Sequence, residues 1–265
     1  MKSLVILKIG GNVVDAPSVL NSVLRDFSTW QYHSILVHGG GKIAGKLMER
    51  LGIAPQMVEG RRITDRETLD IVTMVYAGLI NKNIVAALQN CSCNAIGLTG
   101  ADANIIPAKK RPIKEVDYGF VGDVKPENIP TDTIVSFLNA GLVPVIAPIT
   151  HNCKGALLNT NADTIASSMA IALAKKFRVK LIFCFEKKGV LSNPDDENSV
   201  IESLNEVTYW KYKTEGIITT GMIPKLDNAF AALRSGVSEL YICNPNGLKT
   251  DCREGTLITL NSHDE

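Results

Sequence analysis

The sequence predicts an α/β fold in which an open, mostly parallel sheet is covered by helices on both faces. The main observation is that short β-branched runs alternate with segments of helical periodicity along almost the whole chain. Strands that are joined through helices need right-handed crossovers, which make neighbouring strands parallel. The length of 265 residues allows one large core or two lobes that share a sheet.

In the first half of the chain, strand and helix patterns follow one another with glycines between them. Two strands end in glycine clusters, Gly10-Gly11 and Gly39-Gly40-Gly41. Thr64 and Glu67 have the spacing of a capping box ahead of the longest helical segment. The strands are predicted at 3–9, 34–38, 95–100 and 143–149, and the helices at 19–27, 43–51, 66–88 and 131–141.

The second half repeats the alternation after one irregular segment. Residues 105–130, which contain KKRPIK and VDYGFVGDV, predict a β-hairpin. We expect the basic run to be a solvated part of this hairpin and not a nucleic-acid patch, because the chain carries a net charge of only +1 and the run has no interleaved aromatics. The later helices are predicted at 161–177, 204–212 and 221–236, and the later strands at 179–185, 239–243 and 256–260.

Composition predicts a reduced, cytoplasmic protein that does not enter a membrane. Apolar residues make up 45% and charged residues 21%, which is ordinary for a globular chain. The longest apolar runs, such as GLVPVIAPI, fall short of the roughly 18–20 residues that span a bilayer, and SLVIL is too short for a signal peptide. The six cysteines form no Cys-x-x-Cys pair, and His151 and Cys153 lack the partnering pair of a metal site.

The stretch VHGGGKIAGKL, residues 37–47, nearly matches two phosphate-binding motifs. Gly40, Gly45 and Lys46 fit a P-loop, but Leu47 stands where a hydroxyl should bind Mg²⁺. The stretch also has the spacing of a dinucleotide fingerprint. Glu59 is at the distance of the acid which that fingerprint needs, but its surroundings do not predict a buried strand. Neither motif is therefore the favoured interpretation.

Two lysines offer a third interpretation of the glycine turns. Lys8 lies inside an apolar strand immediately before the first glycine cluster, where an unpaired ammonium is costly to bury. Lys225 begins a predicted helix, a poor place for a cation unless an anion is close by. Asp163 also stands at a helix start. Since ligands bind beyond the carboxyl ends of parallel strands, these groups are candidates for a polyphosphate site.

These residues, taken with the motifs around them, resemble the amino acid kinase family, and within it the members that phosphorylate an acylated glutamate. The matching pieces occur in the family's order over nearly the whole chain. The resemblance implies a three-layer α/β/α sandwich with an N-terminal lobe, 1–176, for the acylglutamate and for dimerisation, and a C-terminal lobe, 177–265, for ATP. The pieces are KIGGN, VHGGG, GRRITD, YGFVGDV, GLVPVIAP, LNTNAD, GIITTGMIPK and the closing GT.

The implied reaction moves the γ-phosphoryl group of ATP to the side-chain carboxylate of N-acetyl-L-glutamate, the second step of arginine biosynthesis. By the resemblance, Lys8 and Lys225 stabilise the moving charge and Asp163 holds both lysines. Mg²⁺ is expected on the ATP phosphates without direct protein ligands. The other implied contacts are backbone N–H groups of Gly10, Gly11, Gly40 and Gly41 to the phosphates and the attacking carboxylate, Arg62 and Asn159 to the acylglutamate, and Glu186 and Gly189 to the base and ribose.

Departures from the family pattern leave alternatives open. The chain begins at its first strand, without the N-terminal helix of the arginine-inhibited hexameric members, so we expect a homodimer that is insensitive to arginine. The acyl group is not fixed by any motif, and N-succinyl-L-glutamate is the alternative substrate if a basic residue lies nearby; Lys109, Lys110 and Arg111 are the candidates. Remoter alternatives are an NAD-dependent dehydrogenase and a non-catalytic amino-acid-sensing module.

Overall fold

The computed structural model describes residues 1–58, 60–218, 222–250 and 252–260. Within these ranges the strands are β1 Ser3–Ile9, β2 His33–His38, β3 Met57–Val58, β4 Arg61–Arg62, β5 Ala95–Leu98, β6 Ala108–Lys110, β7 Gly122–Val124, β8 Val143–Ile146, β9 Ile149–His151, β10 Leu157–Asn159, β11 Arg178–Cys184, β12 Ser203–Asn205, β13 Glu239–Cys243 and β14 Thr256–Thr259. The α-helices are α1 Gly11–Val14, α2 Pro17–Ser28, α3 Gly41–Arg50, α4 Arg66–Asn90, α5 Thr131–Asn139, α6 Ala162–Leu173, α7 Glu206–Thr214 and α8 Ile223–Arg234. Short 3-10 turns lie at Asp102–Asn104, Pro126–Asn128 and Pro245–Thr250.

Eight of these strands form one sheet in the order β12-β14-β13-β11-β1-β2-β8-β5. Every neighbouring pair is parallel except β13 and β14, which run antiparallel. The open, mostly parallel sheet predicted from the alternation of strands and helices is therefore confirmed. β1 lies near the middle, where its Lys8 is in register with Val37 of β2 and Phe183 of β11.

Alternate side chains of β1 enter two separate hydrophobic cores. Leu4 and Ile6 belong to a core that is shared with α5, α6, α7 and α8. Val5, Leu7 and Ile9 belong to a second core, which is shared with α1, α2, α3 and α4. Since successive side chains of a strand point to opposite faces, one helical layer covers each face of the sheet. This arrangement is the three-layer α/β/α sandwich that the family resemblance implies.

The long helix α4 differs from the prediction at its start and in its middle. Its N-cap is Asp65, whose side chain accepts a hydrogen bond from the Thr68 N–H at 2.8 Å. The predicted capping box of Thr64 and Glu67 is therefore wrong, because the N-cap is the next residue, Asp65. Residues Met74–Ile80 form a π-helical turn, which helical periodicity alone does not predict.

By length and composition alone, α4 is also long and apolar enough to cross a membrane. Its Leu69, Ile84 and Leu88 are buried against the sheet in the core shared with α1 to α3. A core helix of a globular domain passes the same test of length and hydropathy, and these contacts identify α4 as such a helix.

Three two-stranded hairpins are separate from the main sheet. The hairpin predicted within 105–130 is confirmed as β6 and β7, which pair antiparallel. Two further antiparallel pairs, β3 with β4 and β9 with β10, were not predicted because strands of two or three residues are too short to show periodicity. The short edge strand β12 was missed for the same reason.

Candidate active site

Two glycine turns lie side by side at the carboxyl ends of the central strands β1 and β2. Gly10 is the N-cap of α1 and Gly40 is the N-cap of α3. The N–H of Gly10 donates to the Cys184 carbonyl at 2.9 Å, and the N–H of Gly39 donates to the Ile9 carbonyl at 2.9 Å. These bonds fix the turns to the sheet and leave the next amides, at the first positions of the two helices, without intrahelical partners.

The two turns lie within van der Waals contact of each other, and the second is packed tightly against Ile80. A Cβ atom on Gly11 would lie 3.7 Å from the Gly41 nitrogen and 3.8 Å from the Gly40 nitrogen. A Cβ atom on Gly40 would lie 2.3 Å from Ile80 Cδ1. The backbone nitrogens of Gly11, Gly40 and Gly41 therefore lie close together, as an anion-binding cradle requires. Gly10 contributes its backbone position, since its own N–H is already paired.

A buried carboxylate joins the two candidate lysines. Lys8 Nζ lies 2.6 Å from Asp163 Oδ1, and Lys225 Nζ lies 2.5 Å from Asp163 Oδ2. The Lys225 contact is a hydrogen bond, whereas the Lys8 contact is an ion pair without hydrogen-bond alignment. The side chains of Lys8 and Asp163 are 8% and 11% exposed, so the pair is screened from water, while Lys225 is 24% exposed. Three residues that are distant in sequence thus form one cluster.

The charges in this cluster control one another. Burial would raise the pKa of Asp163, but attraction to Lys8 and Lys225 outweighs it and lowers the pKa to about 2. Burial is also the main cause that lowers the pKa of Lys8, with Lys225 acting in the same direction and Asp163 opposing both. The cluster carries two cations and one anion, so a site without ligand has an excess positive charge beside the glycine cradle.

A polar cavity of about 220 Å³ opens beside Lys8 and the glycine turns. Arg62 and Asn159, the two residues that the resemblance implies for the acylglutamate, both line it. Arg62 Nη2 donates to the Gly41 carbonyl at 3.0 Å, and Asn159 Nδ2 donates to Thr64 Oγ1 at 3.0 Å. The cavity therefore places a guanidinium and an amide next to the turn that presents the cradle amides.

A second cavity, of about 280 Å³, lies on the other side of Asp163 and is lined in part by Lys225. Glu186 and Gly189 line it together with apolar side chains, among them Val190, Ile218 and Met222. The predicted base and ribose residues are thus in one cavity with one of the two lysines. The triad of Lys8, Asp163 and Lys225 stands between the two cavities.

A cavity larger than these two, about 720 Å³, lies elsewhere. It is lined by the first residues of β1 and β11 and by Trp30 and Tyr32, at the opposite end of the strands from the glycine turns. Size alone would select the wrong region, because the convergent charges and the glycine amides all lie at the other edge.

Several supporting residues were missed by sequence reasoning. His38 is fully buried, its Nδ1 lies 2.8 Å from the Gly39 carbonyl, and its Nε2 lies 3.3 Å from Asn81 Nδ2. Burial lowers the pKa of His38 to about 4, so the ring is neutral near pH 7. Asn161, the N-cap of α6, accepts from the Asp163 N–H at 2.8 Å. The only sequence signals were the positions of these residues beside Gly39 and Asp163.

The structure agrees with the rejection of the P-loop interpretation. Gly45 and Lys46 lie inside α3, and Lys46 points to the surface, where it pairs with Asp15 at 2.8 Å and is 64% exposed. Leu47 is half-buried against the core, which explains the missing hydroxyl. Glu59, the acid of the dinucleotide interpretation, lies outside the described residues.

No protein-built metal centre is found among the residues that the structure describes. His151 Nε2 lies 2.8 Å from Asn104 Oδ1, and Cys153 Sγ lies 3.7 Å from the same oxygen. Asp163 forms ion pairs with two lysines. This donor set fits a cation that arrives on phosphate groups better than one that is held by side chains.

The model of the family described as "Amino acid kinase family" matches residues 3–244. The chain belongs to this family. The resemblance drawn from the sequence motifs is thereby confirmed. Membership of a kinase family argues against the dehydrogenase and the non-catalytic alternatives.

Relatives within the amino acid kinase family are similar over nearly the whole chain. An acetylglutamate kinase from Cytophaga hutchinsonii is 55% identical over 249 residues, which are 94% of this chain and 94% of that protein. An acetylglutamate kinase from Bacteroides fragilis is 52% identical over 250 residues, 94% of this chain and 95% of the relative.

Solved structures give the same fold. The structure of smu.665 from Streptococcus mutans UA159 has a TM-score of 0.80 at 29% identity and covers 98% of this chain and 100% of its own. Carbamate kinase from Giardia lamblia, solved with AMP-PNP, has a TM-score of 0.69 at 15% identity and covers 98% of this chain and 99% of its own. At that identity the second likeness concerns the fold alone.

Proposed function

We propose that this amino acid kinase transfers the γ-phosphoryl group of ATP to the side-chain carboxylate of N-acetyl-L-glutamate. The observation that carries the proposal is the buried triad of Lys8, Asp163 and Lys225 between two cavities. Relatives at 52–55% identity that carry the name acetylglutamate kinase support the choice of substrate. The product is an acyl phosphate, which fits the second step of arginine biosynthesis.

The chemistry needs positioning and charge stabilisation more than proton transfer. A carboxylate oxygen of the substrate forms a bond to the γ-phosphorus, while the bond from that phosphorus to the bridging oxygen of ADP breaks. The nucleophile is already ionised, so no general base is required. Lys8 and Lys225 neutralise the charge on the moving group, and the amides of Gly11, Gly40 and Gly41 hold its oxygens. Asp163 keeps two mutually repelling cations in place.

The N-terminal lobe, 1–176, is the part that binds the acylglutamate in this proposal. Every residue that lines the cavity beside Lys8 falls within this range. Arg62 is suited to the α-carboxylate because a guanidinium binds a carboxylate bidentately, and Asn159 adds an amide donor. The side-chain carboxylate is then left to reach the glycine cradle and Lys8.

The C-terminal lobe, 177–265, binds ATP in this proposal. The residues that line the second cavity all lie between 185 and 225, and the cavity walls are largely apolar, as a purine requires. Glu186 and Gly189, which line this cavity, contact the ribose and base in this proposal. Mg²⁺ carried on the ATP phosphates would neutralise part of their charge.

We further infer that the protein is a cytoplasmic homodimer. Met74 and Leu79, on the π-helical turn of α4, are 59% and 54% exposed, and they form the apolar surface that such a dimer would bury. The six cysteines are all free thiols, in keeping with a reducing compartment. Light scattering should give twice the chain mass for the wild type and a lower mass for Met74→Glu; a monomeric wild type would contradict the dimer.

The reaction is tested by trapping the acyl phosphate. Purified protein is incubated with Mg-ATP, N-acetyl-L-glutamate and hydroxylamine, which converts an acyl phosphate into a coloured hydroxamate. We expect hydroxamate in an amount equal to the ADP released, and none when the acylglutamate is left out or replaced by free glutamate. ADP release without hydroxamate would show a phosphoryl acceptor other than a carboxylate and would overturn the proposal.

A further inference from the structure

The peptide bond between Gly39 and Gly40 decides whether the second glycine turn offers a donor or an acceptor to an anion. This bond is trans, so the Gly39 carbonyl and the Gly40 N–H point in opposite directions. A flip of the peptide plane changes ψ of Gly39 and φ of Gly40, and both residues lack the Cβ atom that would resist the change. The backbone by itself therefore permits both orientations.

Only one of the two orientations suits phosphoryl transfer. Gly40 lines the cavity beside Lys8, and its N–H makes no backbone hydrogen bond within the part of the chain that the structure describes. An N–H group in this place stabilises the anionic oxygens of a phosphoryl group, whereas a carbonyl oxygen repels them. The ammonium group of Lys8, in the same cavity, attracts a carbonyl oxygen whenever no phosphate is bound. The turn therefore needs a contact that holds the Gly39 carbonyl away from the cavity.

His38 makes such a contact. Its ring is fully buried, and its Nδ1 lies 2.8 Å from the Gly39 carbonyl oxygen. A carbonyl oxygen can only accept, so this contact is a hydrogen bond only if Nδ1 carries a proton. Burial lowers the pKa of His38 to about 4, so the ring has a single N–H group near pH 7. The partner of the other ring nitrogen then decides which nitrogen holds the proton.

Asn81 places that proton on Nδ1. Its Nδ2 donates to the Val145 carbonyl at 2.9 Å and lies 3.3 Å from His38 Nε2. The orientation of the amide is determined, because Lys82 Nζ donates to Asn81 Oδ1 at 3.2 Å on its other side. An amide nitrogen is a donor only, so His38 Nε2 must be the acceptor and Nδ1 the donor. Both side chains are buried, so water does not compete for these contacts.

We propose that His38 is a positioning residue, which locks the Gly39–Gly40 peptide with its N–H directed at the transferring phosphoryl group. The inference rests on the proposed function and extends it to a residue outside the cavity, since His38 is not among the residues that line it. His38 acts through the Gly39 carbonyl, and Asn81 acts through His38. The lock makes Gly40 a donor before the substrates bind, so the turn does not have to reorganise during the reaction.

Three substitutions of His38 separate the roles of its two nitrogens. The amide of Asn reaches about as far as Nδ1, the amide of Gln reaches about as far as Nε2, and Leu has no donor. We expect kcat for hydroxamate formation to fall about 10- to 100-fold in His38→Leu and His38→Gln, the scale of one misdirected donor, and to be largely restored in His38→Asn. KM for N-acetyl-L-glutamate should change by less than about threefold, because the lost interaction belongs to the transition state.

His33→Asn is the matched control. His33 is the first residue of the same strand β2, and its ring packs edge-on against Phe177 with 5.8 Å between the ring centres. This variant should keep the wild-type kcat, and circular dichroism verifies that each variant is folded. Unchanged kcat in His38→Leu, or an equal loss in His38→Asn and His38→Leu, would overturn the lock.

A second measurement uses the wild type and so does not depend on how the variants fold. The chain has only four histidines, and proton–nitrogen correlation NMR spectra of protein with isotope-labelled histidine distinguish the two neutral tautomers. We expect the His38 signals, identified by their loss in His38→Asn, to show a proton on Nδ1 and none on Nε2 at pH 7. A proton on Nε2 would contradict the inference.

The failure of this inference and the failure of the proposed function give different results. If the wild type forms hydroxamate and a folded His38→Leu protein forms it at the same rate, the lock is refuted and the proposed function stands. If the wild type forms no hydroxamate from N-acetyl-L-glutamate, the proposed function itself is refuted, and the position of the His38 proton still decides whether His38 donates to the Gly39 carbonyl.

Discussion

Lys8, Asp163 and Lys225 show how a buried charge is made tolerable by partners that the chain brings from far away. Lys8 comes from a central strand, Asp163 from the first turn of α6, and Lys225 from the first turn of α8. A cation at a helix N-terminus is unfavourable by itself, and the carboxylate of Asp163 offsets that cost for Lys225. The same carboxylate lies between the two ammonium groups, and Lys8 and Lys225 each line a cavity of their own.

Lys46 offers a decisive negative test of the P-loop interpretation. In the structure it makes only an exposed ion pair with Asp15, which contributes little in water. We therefore expect Lys46→Ala to keep kcat within about twofold of the wild type, measured as acylglutamate-dependent ADP release. A loss of kcat comparable to that from removing Lys8 would mean that the stretch binds phosphate through Lys46 after all.

The pKa of Asp163 links the stability of the fold to pH. Attraction to the two lysines, which outweighs burial, lowers the pKa from 3.8 to about 2. The unfolded chain therefore binds this proton more readily than the folded chain does. The stabilising contribution is complete above about pH 5 and is lost as the pH falls towards about 2.

Asp163→Asn removes this dependence, and urea unfolding at several pH values measures it. The variant should be less stable than the wild type near pH 7, because buried Lys8 and partly buried Lys225 lose their counter-charge. The difference in free energy of unfolding should shrink as the pH is lowered from about 5 to about 3. A difference that stays constant over that range would contradict the assigned ionisation.

At the residue scale, the sequence predicted the charged residues of the site but not the buried polar residues that support the glycine turns. Lys8 and Lys225 were noticeable because each stands in a place that is unfavourable for a lone cation. His38 and Asn81 were not, because their mutual contact joins positions 43 residues apart, and a buried neutral histidine has no local signature. Arg111 was one of three equivalent basic residues until the structure showed which one lines the cavity.

At the level of elements, the turn before α3 and the π-helical turn of α4 form one unit. Tyr76 and Ile80 of the π-helical turn lie directly against Gly40, so close that a Cβ atom there would meet Ile80 Cδ1 at 2.3 Å. Asn81, at the end of that turn, contacts His38 and donates to the Val145 carbonyl at 2.9 Å. The π-helical turn therefore sets the position of the cradle amides.

This packing predicts a rescue experiment. Gly40→Ala should lower kcat/KM by 10-fold or more, because the new methyl group pushes the turn or Ile80 aside. The double variant Gly40→Ala with Ile80→Ala should recover part of the loss, since the second change opens the space. Gly45→Ala is the control: its Cβ would be 3.7 Å from Arg62 Nη2, an ordinary contact. If the double variant were no more active than Gly40→Ala alone, the contact would not be what constrains the turn.

Periodicity and glycine stops predicted most of the longer helices and strands, but they did not predict where a helix departs from α-helical geometry. α4 was predicted as one helix, because its apolar residues recur at helical spacing throughout and give no sign of the π-helical turn. The β3–β4 and β9–β10 hairpins were also missed, although β4 carries Arg62 and β10 ends in Asn159. Both substrate-binding candidates thus sit on elements too short for a pattern, and only the motif around each residue pointed to them.

For the whole molecule, the arrangement of cavities matters more than their size. One continuous sheet supports both cavities, and the triad lies at the carboxyl ends of its strands, where ligands bind in open parallel sheets. The polar cavity is lined from the first 163 residues and the more apolar one from residues 185–225. Two substrates that enter from these two sides would meet at Lys8 and Lys225.

The central claim is that these two lysines stabilise the transferring phosphoryl group. It is tested most directly by kcat for acylglutamate-dependent ADP release in Lys8→Ala and Lys225→Ala, with circular dichroism to verify folding and Lys46→Ala as the matched control. Each of the two variants should lose roughly 10²- to 10³-fold in kcat, the scale of one lost charge-stabilising group, while the control retains its activity. Near-wild-type turnover in a folded Lys8→Ala or Lys225→Ala protein would contradict the account.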